Sequence, residues 1–208
     1  MTTTIYKGLE FLLIFIILPV SLVLHYPLWI KMFLCLMGFV YVIYVLLKVE
    51  NNKFKMAAHL HWNAFWKQTF FKGVAIAILT TALVYITDKS ALFHVLLHKP
   101  LLWFIIVFAY SVFSVYPQEL IYRTLYFQRY KSLFKSDALF VFLNAIVFSL
   151  AHLMFKNTLV LIITFLGGLL FALTYIKTKS TVLVTIEHAI YGSWLFTVGM
   201  GGMLGFPS

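Results

Sequence analysis

The sequence predicts an all-α fold: a polytopic membrane bundle of about seven transmembrane helices, with one amphipathic helix at the interface. Three observations carry that prediction. First, 63% of the 208 residues are hydrophobic and only 11% are charged, at a mean hydropathy of +0.98, whereas a water-soluble domain carries roughly 45–50% apolar and about 25% charged residues. Second, the apolar residues fall in runs of about 20, the length of one helical bilayer crossing. Third, the cations behind the net charge of +10 stand between those runs, where they orient a membrane protein rather than bind nucleic acid. Within hydrocarbon every backbone polar group must be paired inside its own segment, so runs this short must be helices. The single cysteine, Cys35, allows no intramolecular disulfide and no cysteine-based zinc site.

The first apolar run, Phe11 to Leu24, follows Lys7 in the manner of a signal peptide. No small-x-small cleavage site follows it and another apolar run begins at once, so it reads as an uncleaved first span over about 8–25. The next spans are expected at roughly 28–48, 70–87, 101–122, 136–155, 158–176 and 180–200. In the fourth, apolar character continues through Pro117 into Tyr126 and Phe127, so one long kinked helix from Leu101 to about Phe134 is the alternative. Between the second and third spans, from Asn51 to Gln68, Lys53, Lys55, His59, His61 and Lys67 interleave with Phe54, Met56, Leu60, Trp62, Phe65 and Trp66. That mixture predicts an amphipathic helix lying in the interface, with a polar connecting loop as the plainer alternative. No linker and no internal repeat divides the chain, so residues 1–208 read as one integral membrane domain, with residues 1–100 as N-terminal helices and 101–200 as a core.

Orientation follows from the positive-inside rule. With a cytoplasmic N-terminus, 12 cations lie inside (Lys7; Lys48, Lys53, Lys55, Lys67, Lys72; Arg123, Arg129, Lys131, Lys135; Lys177, Lys179) against 4 outside (Lys31, Lys89, Lys99, Lys156). A bacterial inner membrane or an endoplasmic reticulum membrane suits this pattern, and the bacterial inner membrane is the expectation.

An ionisable side chain at the centre of a lipid-embedded helix costs about 2.5–3.5 kcal/mol on insertion scales, so each one inside a span calls for a reason. Among the acidic residues only Glu119 and Glu187 fall well inside predicted spans, and among the histidines His152 and His188 do. In Gln118-Glu119-x-x-x-Arg123 the carboxylate and guanidinium share a helix face four residues apart and can pair. Such a pair can equally be structural glue between helices. Asn144, Phe148 and His152 recur every four residues and form one stripe that must face protein. Alone, His152 would read as a neutral core histidine bonded to a backbone carbonyl. Glu187 and His188 are adjacent, about 100° apart around a helix, so one of them must face a different neighbour. What favours function is convergence: a carboxylate, a guanidinium and two imidazoles on three separate spans of a protein that otherwise avoids charge.

At these residues the chain resembles the CPBP family of intramembrane endopeptidases, which includes the CAAX prenyl proteases and the bacteriocin-processing, ABI-like proteins. That family is marked by Glu-Glu-x-x-x-Arg, Phe-x-x-x-His and His-x-x-x-Asn on successive membrane helices. Here the order is Gln118-Glu119-x-x-x-Arg123, Phe148-x-x-x-His152 and His188-x-x-x-Gly192. The stretch from Gly167-Gly168 to Lys177-Thr178-Lys179-Ser180 is similar to the family's glycine-bearing helix and Lys-Thr-Gly-Ser loop. The likeness spans roughly residues 100–195, which makes 101–200 the CPBP-like core and the first hundred residues similar in hydropathy alone. Two positions depart from the pattern. The first glutamate is Gln118, which cannot accept a proton at neutral pH, and the final asparagine, which in the family helps its histidine hold the oxyanion, is Gly192.

The resemblance implies hydrolysis of a peptide bond in a membrane-associated substrate, without cofactor. Such chemistry needs a water, a group to take its proton and donors for the oxyanion. Glu119 is then expected as general base, His152 as its partner in holding the water, His188 as oxyanion donor and Arg123 as the group that fixes the carboxylate. Gln118, Asn144 and Phe148 would orient water or substrate. Zinc is the alternative cofactor, with Glu119, His152 and His188 as its three protein ligands. The alternative function is a catalytically silent scaffold, immunity or processing-partner protein, which the departures at Gln118 and Gly192 favour. A transporter finds no paired inverted halves to support it. By simple counting Glu119 and His152 lie at different depths, and they meet only if the fourth helix is long or the fifth is shifted or tilted.

Overall fold

A computed structural model of the chain describes residues 3–52 and 62–206, and among these residues there is helix and no strand. Among the described residues, seven helices are long and apolar enough to cross a membrane: α1 Thr4–Ser21, α2 Leu28–Val49, α3 Trp62–Thr87, α4 Pro100–Arg129, a fifth over Asp137–Phe155 whose α-helical part, α5, is Asp137–Leu150, α6 Thr158–Thr178 and α7 Thr181–Val198. The chain is a multi-pass membrane protein. Its surface inverts that of a soluble domain: Leu28, Trp29, Phe70, Ile86 and Phe113 are exposed, while the largest fully buried side chains begin with Arg123 and Arg129. Lipid takes the place of a hydrophobic core for the first set, and only protein can satisfy the second.

Local chemistry sets the helix ends. The side chains of Thr3, Ser136 and Ser180 accept from the amides of Tyr6, Leu139 and Leu183, each capping a helix start. Pro100 opens α4, where its missing N–H has no intrahelical partner to lose. Gly199 closes α7 in the left-handed region at φ 109°, with its N–H on the carbonyl of Leu195.

Two expectations change. Trp62 to Gln68, assigned from sequence to a separate interfacial helix, are the first turns of α3, so the third span begins at Trp62 rather than at 70; residues 53–61 of that stretch lie outside the described residues. The long alternative for the fourth span holds, ending at Arg129 rather than Phe134, with a single 3-10 turn over Lys131–Leu133 after it. On either side of the turn holding Pro117, α4 widens to π-helical hydrogen bonding, over Tyr110–Val115 and over Leu120–Leu125. Such wide turns absorb the amide a proline lacks and are common at functional positions.

The chain divides into two compact units, Met1–Met56 with Gln118–Lys177, and Ala57–Pro117 with Thr178–Ser208. In the first, Phe15 of α1 packs edge-on against Tyr122, Tyr126 and Tyr130 at 5.4–5.6 Å. Glu10, in the first turns of α1, is buried and accepts from Arg129, Tyr41 and Tyr130, while Arg129 Nη1 also reaches Glu50 at 2.7 Å. The Tyr130 phenol, beyond the end of α4, is pushed up from its ordinary pKa by burial first and by the Glu10 charge second. Gly168 lets α6 lie against α5 so closely that an added Cβ would stand 2.9 Å from Ala145 Cα. In the second unit α7 packs on α3 and on the first half of α4. Indole donors bond across these contacts, Trp194 to Thr80 and Trp103 to Thr197, both at 2.9 Å.

Candidate active site

Within the first unit the expected pair is present. Arg123 Nε lies 3.3 Å from Glu119 Oε2, one turn apart on α4, and neither side chain has exposed surface. The wide turn over Leu120–Leu125 contains Arg123. Its Nη1 donates to Asn144 Oδ1 at 2.6 Å and to the Tyr122 carbonyl at 3.1 Å, and Asn144 Nδ2 donates to that same carbonyl at 2.7 Å. The guanidinium lies over the Phe148 ring, 4.8 Å from its centroid, with Phe171 of α6 at 5.8 Å. A cation with no water must find donors' partners and π faces in protein, and Arg123 has both. The result is a carboxylate whose position is set by a guanidinium that three helices hold in place.

Phe148 also links this pair to the histidine. Its ring lies 5.0 Å from that of His152, and His152 Nδ1 is 2.9 Å from the Phe148 carbonyl. A carbonyl only accepts, so Nδ1 carries a proton in this contact. The stripe from sequence needs one adjustment: α5 ends at Leu150, and His152 stands in the turn beyond it at φ −98° and ψ 4°. The imidazole thereby serves as a cap for an end carbonyl of α5 and is half-buried rather than sealed in the helix packing. Of the expected residues, Glu119, Arg123, Asn144, Phe148 and His152 form this one connected group; Gln118, beside Glu119, is half-buried.

His188 and Glu187 belong to the second unit and both are buried. They divide as their 100° separation requires. Glu187 Oε1 accepts from Lys72 Nζ at 2.5 Å and from the Tyr191 hydroxyl at 3.0 Å, and that hydroxyl is also 3.0 Å from the Thr69 carbonyl. His188 meets the ring of Tyr110 edge-on, 6.1 Å between centroids. Lys72, counted from sequence with the cytoplasmic-side cations, is half-buried on α3 and pairs with Glu187. Glu10 and Arg129 likewise form a buried group that sequence reasoning missed. The signal available was a carboxylate at the seventh residue of a helix that goes on to cross a membrane.

Among the described residues, no three of His, Cys, Asp and Glu gather as a ligand set.

Residues 99–194 match the family model described as Rce1-like, type II CAAX prenyl endopeptidase Rce1-like. The matched stretch runs from the start of α4 into α7 and includes Glu119, Arg123, Asn144, Phe148, His152 and His188. Over those residues the chain is similar to a family of membrane endopeptidases, in agreement with the resemblance its motifs carry. No curated protein and no solved structure matches the chain.

Proposed function

We propose that this chain, Rce1-like over residues 99–194, is an intramembrane endopeptidase that hydrolyses a peptide bond of a membrane-associated substrate. The observation that carries the proposal is the Glu119 carboxylate, fully buried in a membrane span and fixed by an Arg123 whose own contacts leave it no freedom. Glu119 takes the proton of the attacking water. His152 Nε2 accepts the second hydrogen bond of that water, which its Nδ1 bond to Phe148 prepares it to do. Arg123 fixes the position of the carboxylate, Asn144 holds Arg123, and the Gln118 amide and the Phe148 ring shape the space for water and substrate. The oxyanion donor, His188, is assigned from the order of the motifs. Glu119 then returns its proton to the leaving amine, so that water adds across the C–N bond with no cofactor. The N-terminus is assigned to the cytoplasm, as the distribution of cations favours, and the membrane is read as a bacterial inner membrane.

The experiment compares new protein N-termini in membranes of cells expressing wild type or Glu119→Gln, a substitution that keeps shape and removes the base. Peptides that appear only with the wild type support the proposal and name the substrate; their absence in a host holding the native partners refutes it. Gln118 favours a second reading, a catalytically silent protein that retains the scaffold. Gln118→Glu separates the two, since cleavage that appears only in this variant supports the silent protein.

A further inference from the structure

Where α3 and α7 end, a cavity of about 250 Å³ opens in the second unit. Asp88 and Ser90, just past α3, line it together with His94 of a short helix over His94–His98. Trp103 in the first turn of α4, with Phe196 and Gly199 at the end of α7, completes the walls. All of these residues belong to one unit. The frame is fixed on several sides. Gly199, at φ 109°, brings the end of α7 so close to the Lys89–Ala91 turn that an added Cβ would overlap the Ala91 carbonyl. The Trp103 indole N–H donates to Thr197 at 2.9 Å, and the Phe196 ring lies 4.8 Å from Tyr110 and 4.7 Å from Phe206. Side chains held in this way leave little ordering cost for a ligand to meet.

The charge of the cavity is negative. The helices α3 and α7 are 26 and 18 residues long, and each directs the carboxyl end of its dipole here, equivalent to about half a negative charge. Asp88 adds a full one. Its carboxylate accepts from the Ser90 amide at 3.1 Å and hydroxyl at 2.6 Å, bonds that favour the ionised form. The chain carries a net charge of +10, yet among the described residues no ion pair includes Asp88. Its neighbour Lys89 lies instead over the Tyr85 ring, 5.0 Å from the centroid. Against this stand the amino end of α4 and the His94 ring, which stacks on His98 at 4.4 Å. Two helix ends and a carboxylate outweigh one helix end and a single imidazole. Trp103 and Phe196 supply aromatic surface, which attracts cations. A metal cation seeks six or more oxygens, whereas this cavity offers one carboxylate beside buried Val95 and Ile106. The complement of that lining is a cation with an apolar body.

We infer that this cavity is a binding site for an organic ammonium group, with Asp88 as counter-ion and Trp103 and Phe196 as aromatic walls. A lipid headgroup and a small soluble amine both carry that group. The site stands apart from the proposed peptidase reaction and does not depend on it.

The test uses the full chain in maltoside micelles with choline as the probe, followed by saturation-transfer NMR against empty micelles. Saturable binding is expected with a Kd on the order of 1–10 mM, the range for one exposed charge pair and one aromatic contact. Asp88→Asn and Trp103→Leu are each expected to weaken it about fivefold. Asp88 is exposed, so its substitution leaves the packing intact and decides the matter if Trp103→Leu does not fold. The neutral tert-butyl analogue of choline, alike in shape without the charge, is expected to give no signal beyond that of empty micelles. The inference is overturned if choline shows no saturable binding, if the neutral analogue binds equally, or if Asp88→Asn binds choline as wild type does. Inorganic phosphate binding in place of choline, lost in His94→Ala, would also overturn it. Phosphatidylcholine added to the micelles separates the sources: displacement of choline, absent with phosphatidylglycerol, assigns a lipid headgroup, and retention of choline assigns a soluble amine. Either result supports the ammonium site.

Discussion

Replacing Arg123 by methionine removes the group around which the buried polar contacts of α4 and α5 are arranged. The ion pair to Glu119 at 3.3 Å, the 2.6 Å bond to Asn144 and the stacking over Phe148 at 4.8 Å are all lost, while a carboxylate without exposed surface stays behind. Breaking a buried ion pair from one side costs about 3–5 kcal/mol, chiefly by stranding the other charge. The orphaned Asn144 Oδ1 adds about 1–3 kcal/mol, although Asn144 keeps its 2.7 Å bond to the Tyr122 carbonyl. The expected loss for Arg123→Met is thus about 4–6 kcal/mol, since the terms overlap. Glu119→Gln costs less, about 2 kcal/mol, because the guanidinium retains Asn144 and the Tyr122 carbonyl. The double variant leaves neither charge stranded, so it should fall short of the sum of the singles by about 2–3 kcal/mol. Unfolding in mixed micelles titrated with dodecyl sulfate, followed by circular dichroism, measures all three. Additivity within about 0.5 kcal/mol would refute the ion pair as the organising contact.

Three further outcomes are expected. Gly168→Ala places a methyl 2.9 Å from Ala145 Cα, so α5 and α6 must part at a cost of about 1–3 kcal/mol, and an unchanged dodecyl sulfate midpoint would show slack in that contact. Asp88 lies outside the spans, and the Ser90 hydroxyl and amide hold its carboxyl below the usual carboxylate value. With a depressed folded pKa, its contribution to stability is present above the unfolded pKa and is lost as pH falls through the folded one. A carboxyl carbon NMR titration should find that low value in wild type and a rise in Ser90→Ala; equal values would sink the assignment. Cleavage should persist after chelation, and a loss of activity together with about one zinc per chain would restore the ligand set Glu119, His152 and His188.

The spans were legible without any tertiary knowledge because lipid asks only for apolar composition over a fixed length, and α1 to α7 meet that demand residue by residue. The Glu119–Arg123 pair was legible for a similar reason: its partners are one turn apart, and helix geometry alone brings them together. The long α4 was one of two options, and it needed neighbours to choose, since Pro117 by itself permits either a break or a wide turn.

Partners far apart along the chain could not be read in this way. Arg129 finds Glu10 across 119 residues and Lys72 finds Glu187 across 115, and no local periodicity records such a choice. Sequence reasoning counted Lys72 with the cytoplasmic-side cations; the structure pairs it with the buried carboxylate of Glu187 on α7. What the sequence determined by itself was where the chain enters and leaves the membrane and which local charges share a face, because both depend on composition and helix pitch. What only the tertiary structure decided was which buried charge pairs with which, because that depends on the packing of helices distant along the chain.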